Sequence, residues 1–216
     1  MLKIDMGFQR ARTEKQVADR QDEIISACDE IYRKKGYEAV HIKAISGLTS
    51  ISRPGIYNYY KTRDDILLDV LKRDYIKWEE ELLAHYRKIK KMTREAYCSF
   101  MAHSLKKHEK YLELVTIYIH PIERNSSLEK LSSFKMEIHR FFQIILEGLA
   151  QYFPRTSKKQ RRSILFYLMV IITGAYSHTH LTEKQIQAIK NADPDDTTPD
   201  FHRVCYDALM MLMRDI

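Results

Sequence analysis

The sequence predicts an all-α fold, and three observations support that prediction. Glycine and proline, the residues of tight turns, number only six and five among 216 residues, or about 5% against roughly 12% in an average chain. Apolar residues recur at the three- and four-residue spacing of amphipathic helices. No strand-like alternation persists beyond a few residues, and no internal repeat is found. We therefore expect about nine helices.

The first helix is predicted over residues 17–35. Its apolar positions share one helical stripe and are Ile24, Ala27, Cys28, Ile31 and Tyr32. Lys34 and Lys35 fall in the last turn, where cations meet the negative end of the helix dipole. Gly36 can take the left-handed conformation that commonly ends a helix, so we expect the helix to stop there.

Residues 42–60 have the spacing of a helix-turn-helix. Ile45, Ile51 and Ile56 are predicted to form the small core between its two helices, with Ser52 capping the second one. Because Ile56 turns inward, the outer rim of the second helix holds Arg53, Pro54, Gly55 and Tyr57. A helix of this kind fits the major groove of DNA, about 12 Å wide, and presents its N-terminal end to base edges.

Further helices are predicted from capping residues and breaks. A long fourth helix begins at Thr62, and its apolar face holds Ile66, Leu67, Val70, Leu71, Tyr75, Trp78 and Leu82. Later starts are predicted at Thr93, at Ser126 with Glu129 as a capping box, at Ser157, at Thr182 and at Phe201. Predicted ends lie at Pro121 and Pro154, and residues 191–200 are predicted to form a loop.

Composition narrows the class of protein. The net charge of +7 permits a polyanionic partner. The longest apolar run, residues 164–172, is nine residues long, whereas a bilayer span needs roughly 20. No secretory signal pattern is present at the start. The three cysteines are widely spaced and form neither a disulfide framework nor a zinc ribbon. We expect a cytoplasmic protein that does not enter a membrane.

The sequence offers no catalytic or metal-binding pattern. We find no paired carboxylates on one helical face, no nucleophile motif and no phosphate loop, so an enzyme built on a helical bundle is the disfavoured alternative. His178 and His180 are two residues apart, which puts their rings on different sides of a helix end, and no cysteine or carboxylate falls at ligand spacing. We expect no metal, no cofactor and no catalytic residues.

Three runs of residues carry a family resemblance. They are GYEA at 36–39, IKAI at 42–45 and SRPGIYNYYKTRDDIL at 52–67. With these runs at matching spacing, residues 17–70 resemble the TetR-type (TetR/AcrR) bacterial transcriptional regulators. Three positions depart from the family pattern: His41 stands where the family often has threonine, Ser50 replaces the usual turn glycine, and Gly55 lacks a side chain where one often reads a base.

The resemblance implies a homodimer that binds double-stranded DNA at a palindromic operator. Residues 1–63 would form an N-terminal arm and the helix-turn-helix domain, and residues 64–216 a helical domain for ligand binding and dimerisation. Its last two long helices, 164–176 and 201–213, would pack as a four-helix dimer interface, although both could be ordinary core helices. In the start of the chain, Arg10, Arg12, Lys15 and Arg20 could reach phosphates, but a solvated start is favoured.

The resemblance also assigns roles to individual residues. Base contacts are implied for Lys43, Arg53, Pro54, Gly55 and Tyr57, with Ser52 at the start of the same helix. Phosphate contacts are implied for Asn58, Tyr59, Lys61 and Arg63. The chemistry agrees, because an arginine can donate two hydrogen bonds to a guanine edge and an aromatic ring can touch a thymine methyl group.

The middle helices supply candidates for a ligand pocket. Small-molecule pockets combine aromatic and sulfur side chains with a few polar groups, and the candidates of this kind are Trp78, Phe100, Met101, His103, Tyr118, His120, Phe142, Phe166 and Met169. The same stripe at helical spacing also fits an ordinary core. We thus predict a DNA-binding regulator, a repressor released from its operator by an unidentified small-molecule effector. The alternative is a regulator or architectural protein whose C-terminal half binds another protein.

Overall fold

A computed structural model describes residues 14–216, and the predicted N-terminal arm with Arg10 and Arg12 lies outside them. Every regular element in the described part is helical, which confirms the all-α prediction. The α-helices number eleven there rather than about nine. They are α1 (Glu14–Lys35), α2 (Ile42–Ser46), α3 (Arg53–Ile56), α4 (Arg63–Lys88), α5 (Arg94–Lys107), α6 (Glu109–Thr116), α7 (Ile119–Asn125), α8 (Leu128–Tyr152), α9 (Lys158–Thr179), α10 (Glu183–Ala192) and α11 (Phe201–Leu212).

The first helix ends as predicted at Gly36. The glycine has a φ of +78°, and its N–H donates to the Tyr32 carbonyl at 2.8 Å. A side chain at this φ is strained, which explains the glycine. All five residues of the predicted apolar stripe of α1 are buried. A short 3-10 helix, Tyr37–Ala39, then leads into α2.

The fourth helix is the centre of the fold. Its cap, Thr62, accepts a hydrogen bond from the Asp65 N–H, and the Asp65 side chain accepts one from the Thr62 N–H. This reciprocal capping box satisfies two backbone donors that a bare helix end leaves unpaired. The predicted apolar face of α4 is buried. Because α4 packs against α1 and also against α7 and α8, it joins the two predicted halves of the chain.

Two predicted boundaries are wrong. Pro121 does not end a helix but is the third residue of α7, where a missing N–H costs nothing because first-turn donors have no intrahelical partner. Ser127, not Ser126, caps α8, since its Oγ accepts from the Lys130 N–H at 3.4 Å. The hydroxyl of Ser126 instead donates to the Ile122 carbonyl at 2.6 Å.

The first helix already includes Glu14, three residues before its predicted start, but the other limits predicted for the later helices are confirmed. Thr93 caps α5, Ser157 and Thr182 form capping boxes on α9 and α10, and α8 ends before Pro154. The last helix begins at Phe201 behind an Asp200 cap. Between α9 and α11, the helix α10 contains no buried residue, and residues 191–200 are all exposed.

Within residues 14–216, no single helix is long and apolar enough to cross a membrane. The helices Lys158–Thr179 and Glu183–Ala192 reach the length and apolar composition of a membrane span only when they are taken together, and they are bent by 78° relative to each other.

Candidate nucleic-acid interface

The second helix of the helix-turn-helix, α3, is oriented by three isoleucines. Ile45 and Ile56 are fully buried, and Ile51 is 4% exposed. Ser52 caps the helix by accepting a hydrogen bond from the Gly55 N–H at 3.3 Å. This anchoring leaves the outer rim exposed, as the sequence predicts for Arg53, Pro54 and Tyr57.

Gly55 faces the protein rather than open space. A Cβ added there would lie 2.9 Å from Ile51 Cγ2 and 3.3 Å from Ser52 Oγ. The position is therefore not a bare spot on the outer rim, because the missing side chain would point at the turn. The glycine lets α3 approach Ile51 closely, and any contact with DNA at this residue is limited to its backbone.

The turn of the helix-turn-helix is fastened to α1 through Ser50. Glu23 accepts hydrogen bonds from both the backbone N–H and the hydroxyl of Ser50, and Arg20 donates to that hydroxyl at 2.5 Å. Partial burial raises the pKa of Glu23, but the bonds from Ser50 and the charge of Arg20 outweigh it, so the net pKa is lowered. Arg20 thus pairs within the domain, and Ser50 replaces the usual turn glycine by bonding to α1.

A shallow groove of about 300 Å³ is lined by five of the ten predicted DNA-binding residues. Its lining includes Lys43, Arg53, Tyr57, Lys61 and Arg63. In the described part of the chain, Lys43, Arg53 and Lys61 have exposed side chains, and no acidic group lies within ion-pair distance of them. Three uncompensated cations on one surface create a local positive potential that attracts a polyanion.

The remaining predicted contact residues differ in how far they are available. Asn58 is exposed and Tyr59 is partly buried. Arg63 is committed to the protein, because its guanidinium donates to the Val40 carbonyl at 2.8 Å and stacks over the Tyr37 ring at 4.5 Å. A phosphate contact by Arg63 therefore competes with these two contacts.

Asp65 connects the edge of this groove to the larger helical domain. Its Oδ2 accepts hydrogen bonds from the N–H groups of Lys61 and Thr62 at 3.1 and 3.2 Å. Its Oδ1 accepts one from the Ser127 N–H at the start of α8, at 2.7 Å. Nearby, the ring of Tyr37 stacks on Tyr118 with centroids 4.2 Å apart. The helix-turn-helix segment and the first turns of α7 and α8 are thus in direct contact.

The nine candidate pocket residues do not line one cavity. Trp78 and Met101 are buried core, Phe100 stacks on His85 at 3.7 Å, and Tyr118 stacks on Tyr37. Phe142 and Met169 are partly buried, whereas His103, His120 and Phe166 are exposed. The void that Trp78 borders between α4 and α6 measures about 10 Å³, far below the roughly 300 Å³ of a ligand pocket.

Sequence reasoning missed a buried histidine beside Trp78. His108 lies at the junction of α5 and α6, with its Nδ1 2.9 Å from Asp74 Oδ1 and its ring stacked on Trp78 at 4.4 Å. The Trp78 indole donates to Ser104 Oγ at 2.5 Å. No local pattern marks His108, because its partners on α4 are about thirty residues away.

The two late helices expose an apolar face. On α9, the side chains of Ile164, Leu168 and Ile172 are buried, while Phe166, Tyr167 and Val170 are more than half exposed. On α11, Met211 is 76% exposed. A helix that is apolar on both faces commonly has a second partner.

The candidate metal ligands do not assemble. His180 pairs with Glu109 through Nε2 at 2.7 Å, and His178 is exposed. Among residues 14–216, no three side chains of His, Cys, Asp or Glu come together as metal ligands.

The fold and this basic surface are those of an all-helical protein that carries a helix-turn-helix. The family model described as the C-terminal domain of tetracyclin repressor-like proteins matches residues 72–214. The chain therefore belongs to the TetR family of transcriptional regulators. Proteins of this family are generally not enzymes.

Similarity to known proteins agrees with this assignment. The chain is 26% identical over 131 residues to the HTH-type transcriptional regulator QacR of Staphylococcus aureus strain Mu50, covering 59% of this chain and 69% of that protein. Among solved structures, a TetR-family regulator from Mesorhizobium loti aligns with a TM-score of 0.62 at 13% identity, over 94% of this chain and 98% of that one.

Two further solved structures were determined with ligands. A transcriptional regulator from Saccharomonospora viridis in complex with choline aligns with a TM-score of 0.58 at 12% identity, over 92% of this chain and 97% of that one. FadR from Bacillus subtilis in complex with stearoyl-CoA aligns with a TM-score of 0.55 at 16% identity, over 90% of this chain and 98% of that one. At these identities the likeness concerns the fold.

Proposed function

We propose that the chain is a cytoplasmic, non-enzymatic repressor that binds a palindromic operator and leaves it when a small molecule binds. The observation that carries the proposal is the exposed groove at α2 and α3, where Lys43, Arg53, Tyr57 and Lys61 lie together. The N-terminal end of α3 is the part that a helix-turn-helix presents to base edges.

Each of these side chains has a distinct chemical task on a duplex. Arg53 donates two hydrogen bonds to the O6 and N7 of a guanine, and the ring of Tyr57 or Pro54 contacts a thymine methyl group. Lys43 lies at the groove edge, within reach of a base or a phosphate. Lys61, together with Asn58 and Tyr59, contacts phosphates, which set affinity and position rather than sequence.

Dimerisation through α9 and α11 completes the DNA-binding unit. The exposed side chains of Phe166, Tyr167, Val170 and Met211 supply an apolar surface for an isologous contact. Two-fold symmetry then presents two copies of α3 to half-sites about one helical turn apart, which explains why the operator should be palindromic.

The hydrogen bonds of Asp65 support a proposal for how effector binding in the larger helical part changes DNA binding at α3. Its carboxylate bonds at once to the backbone beside Lys61 and to the first turn of α8. The void beside Trp78 is too small for a ligand, so a molecule that enters between α4 and α6 has to displace these helices. An effector that prefers the displaced state shifts the protein away from the spacing that DNA requires.

Selection of bound duplexes from a random DNA pool supplies the operator for the test. Arg53→Ala is expected to lose about 5- to 150-fold in affinity for each half-site of that operator, from about 1–3 kcal/mol of base discrimination, and little on a scrambled duplex. Lys61→Ala is expected to weaken both and to reduce the slope of log affinity against log salt by about two per dimer. Lys88→Ala, at the opposite end of α4, is the matched control and should change neither.

Equal losses for Arg53→Ala on the selected and scrambled duplexes would show that Arg53 does not read bases. A thermal-shift screen against metabolites tests the effector, because a ligand that binds only the folded state raises Tm. If no compound stabilises the protein, the alternative of a protein partner for the C-terminal half is favoured.

A further inference from the structure

The segment that follows α9 is the least buried helical part of the described chain. α10 turns 78° away from α9, buries no residue, and carries Ile186 and Ile189 three positions apart, hence on one face. Three exposed aspartates follow, namely Asp193, Asp195 and Asp196. Within residues 14–216, none of the three forms an ion pair. We call residues 183–196 the α10 arm.

A groove of complementary character lies at the other end of α9. Two adjoining hollows, of about 610 and 390 Å³, share Lys159, Ser163 and Tyr167, and together we call them the α9 groove. One end combines the apolar side chains of Tyr167, Met211 and Leu212 with the carboxylate of Asp215. The other end carries Lys158, Lys159 and Arg162, whose exposed charges have no acidic partner in the described chain. The basic end of the α9 groove is therefore complementary in charge to the three aspartates of the α10 arm.

The arm cannot fill the groove of its own subunit. The 22 residues of α9 span about 33 Å, whereas the ten residues of α10 span about 15 Å. The chain on either side of the arm is held near the far end of α9, because Phe201 packs against Tyr176 and His180 with ring centroids 5.9 and 5.5 Å apart. The arm of a second copy of the chain is free of this constraint.

We propose that the α10 arm of each subunit docks into the α9 groove of the other subunit. This inference rests on the proposed dimer of α9 and α11. It also determines the relative direction of the two copies of α9. In a parallel arrangement, the five basic residues at 155–162 of one copy would face the same residues of the other and repel. In an antiparallel arrangement, each basic end meets the aspartates of the other arm, and two-fold symmetry forms the contact twice.

Disulfide trapping between two preparations tests the contact directly. One preparation carries Asp195→Cys and the other, of different tag length, carries Lys159→Cys, while the three natural cysteines are buried. Mixed and mildly oxidised, the pair is expected to form a covalent heterodimer. Asp195→Cys mixed with Lys88→Cys is the control and should not. A wild type that dimerises while the first mixture gives no heterodimer would overturn the arm contact alone; a wild type that stays monomeric would overturn the dimer as well.

Charge reversal gives an independent measure through the dimer Kd. Both D193K/D195K/D196K and K158D/K159D/R162D are expected to raise Kd about tenfold or more at low salt, and combining them should restore most of the loss. R87D/K88D/K90D reverses three exposed charges outside the groove and is the control. If the groove triple leaves Kd unchanged and weakens only DNA binding, the groove contacts nucleic acid and the proposal fails.

Discussion

Gly148 allows the closest approach between α8 and the far end of α4. A Cβ added at Gly148 would lie 2.3 Å from Tyr86 Cζ, 2.5 Å from its Oη and 2.7 Å from its Cε2, where ordinary contacts begin near 3.4 Å. The Tyr86 ring cannot move aside easily, because it is 5% exposed and lies against the rings of Tyr152 and Phe100. Overpacking costs typically about 1–3 kcal/mol, and three contacts below 3.0 Å place Gly148 in the upper half of that range. Replacing a helical glycine by alanine gains only about 1 kcal/mol in return.

We therefore expect Gly148→Ala to lower the free energy of unfolding by about 1–2 kcal/mol. Urea unfolding followed by circular dichroism measures the change, at one protein concentration because a dimer's stability depends on concentration. Tyr86→Leu removes the clashing ring, so in the double variant the two losses should not add, and the coupling should exceed about 0.5 kcal/mol. A Gly148→Ala protein as stable as wild type, or additive losses in the cycle, would refute this account of the contact.

Two carboxylates give further predictions that depend on pH. Burial raises the pKa of Glu79, and Arg140 offsets this only in part, so stability is highest below the ordinary glutamate pKa and is lost as pH rises through the raised value. Glu79→Gln is expected to raise Tm at pH 8 but not at pH 4, and a lower Tm at pH 8 would contradict this reasoning. The lowered pKa of Glu23 has the opposite sign: its contribution is full above about pH 4.5 and is lost as pH falls. Glu23→Gln is expected to speed hydrogen exchange of the Ser50 amide at pH 7 by NMR, and unchanged exchange would show that Glu23 does not hold the turn.

Helix starts could be predicted wherever the chemistry is local. Thr62, Ser157 and Thr182 each bond to an N–H three residues later, so the sequence alone identifies them as caps. The start of α8 could not be chosen this way, since two serines adjoin. Ser127 caps α8, and its N–H also bonds to Asp65, a residue 62 positions away.

The predicted outer rim of α3 depends on one inward residue, Ile56, and its burial leaves Arg53 and Tyr57 exposed. Gly55 and Arg63 could not be interpreted from sequence, because their roles depend on Ile51 and on the Val40 carbonyl, which the fold brings close. The residues of a ligand pocket could not be predicted either, because a core stripe and a cavity lining have the same helical spacing. Only packing distinguishes Trp78, which is buried, from Phe166, which is 64% exposed.

The way α3 is held suggests how its sequence preference could be redesigned. Ile51, Ser52 and Ile56 fix the helix from beneath, whereas Lys43, Arg53 and Tyr57 make no hydrogen bond or ion pair through their side chains within the described chain. Substitutions at these three outward positions should therefore leave folding intact. A library randomised there, screened against mutated duplexes, would yield variants retargeted to new sites on an unchanged scaffold.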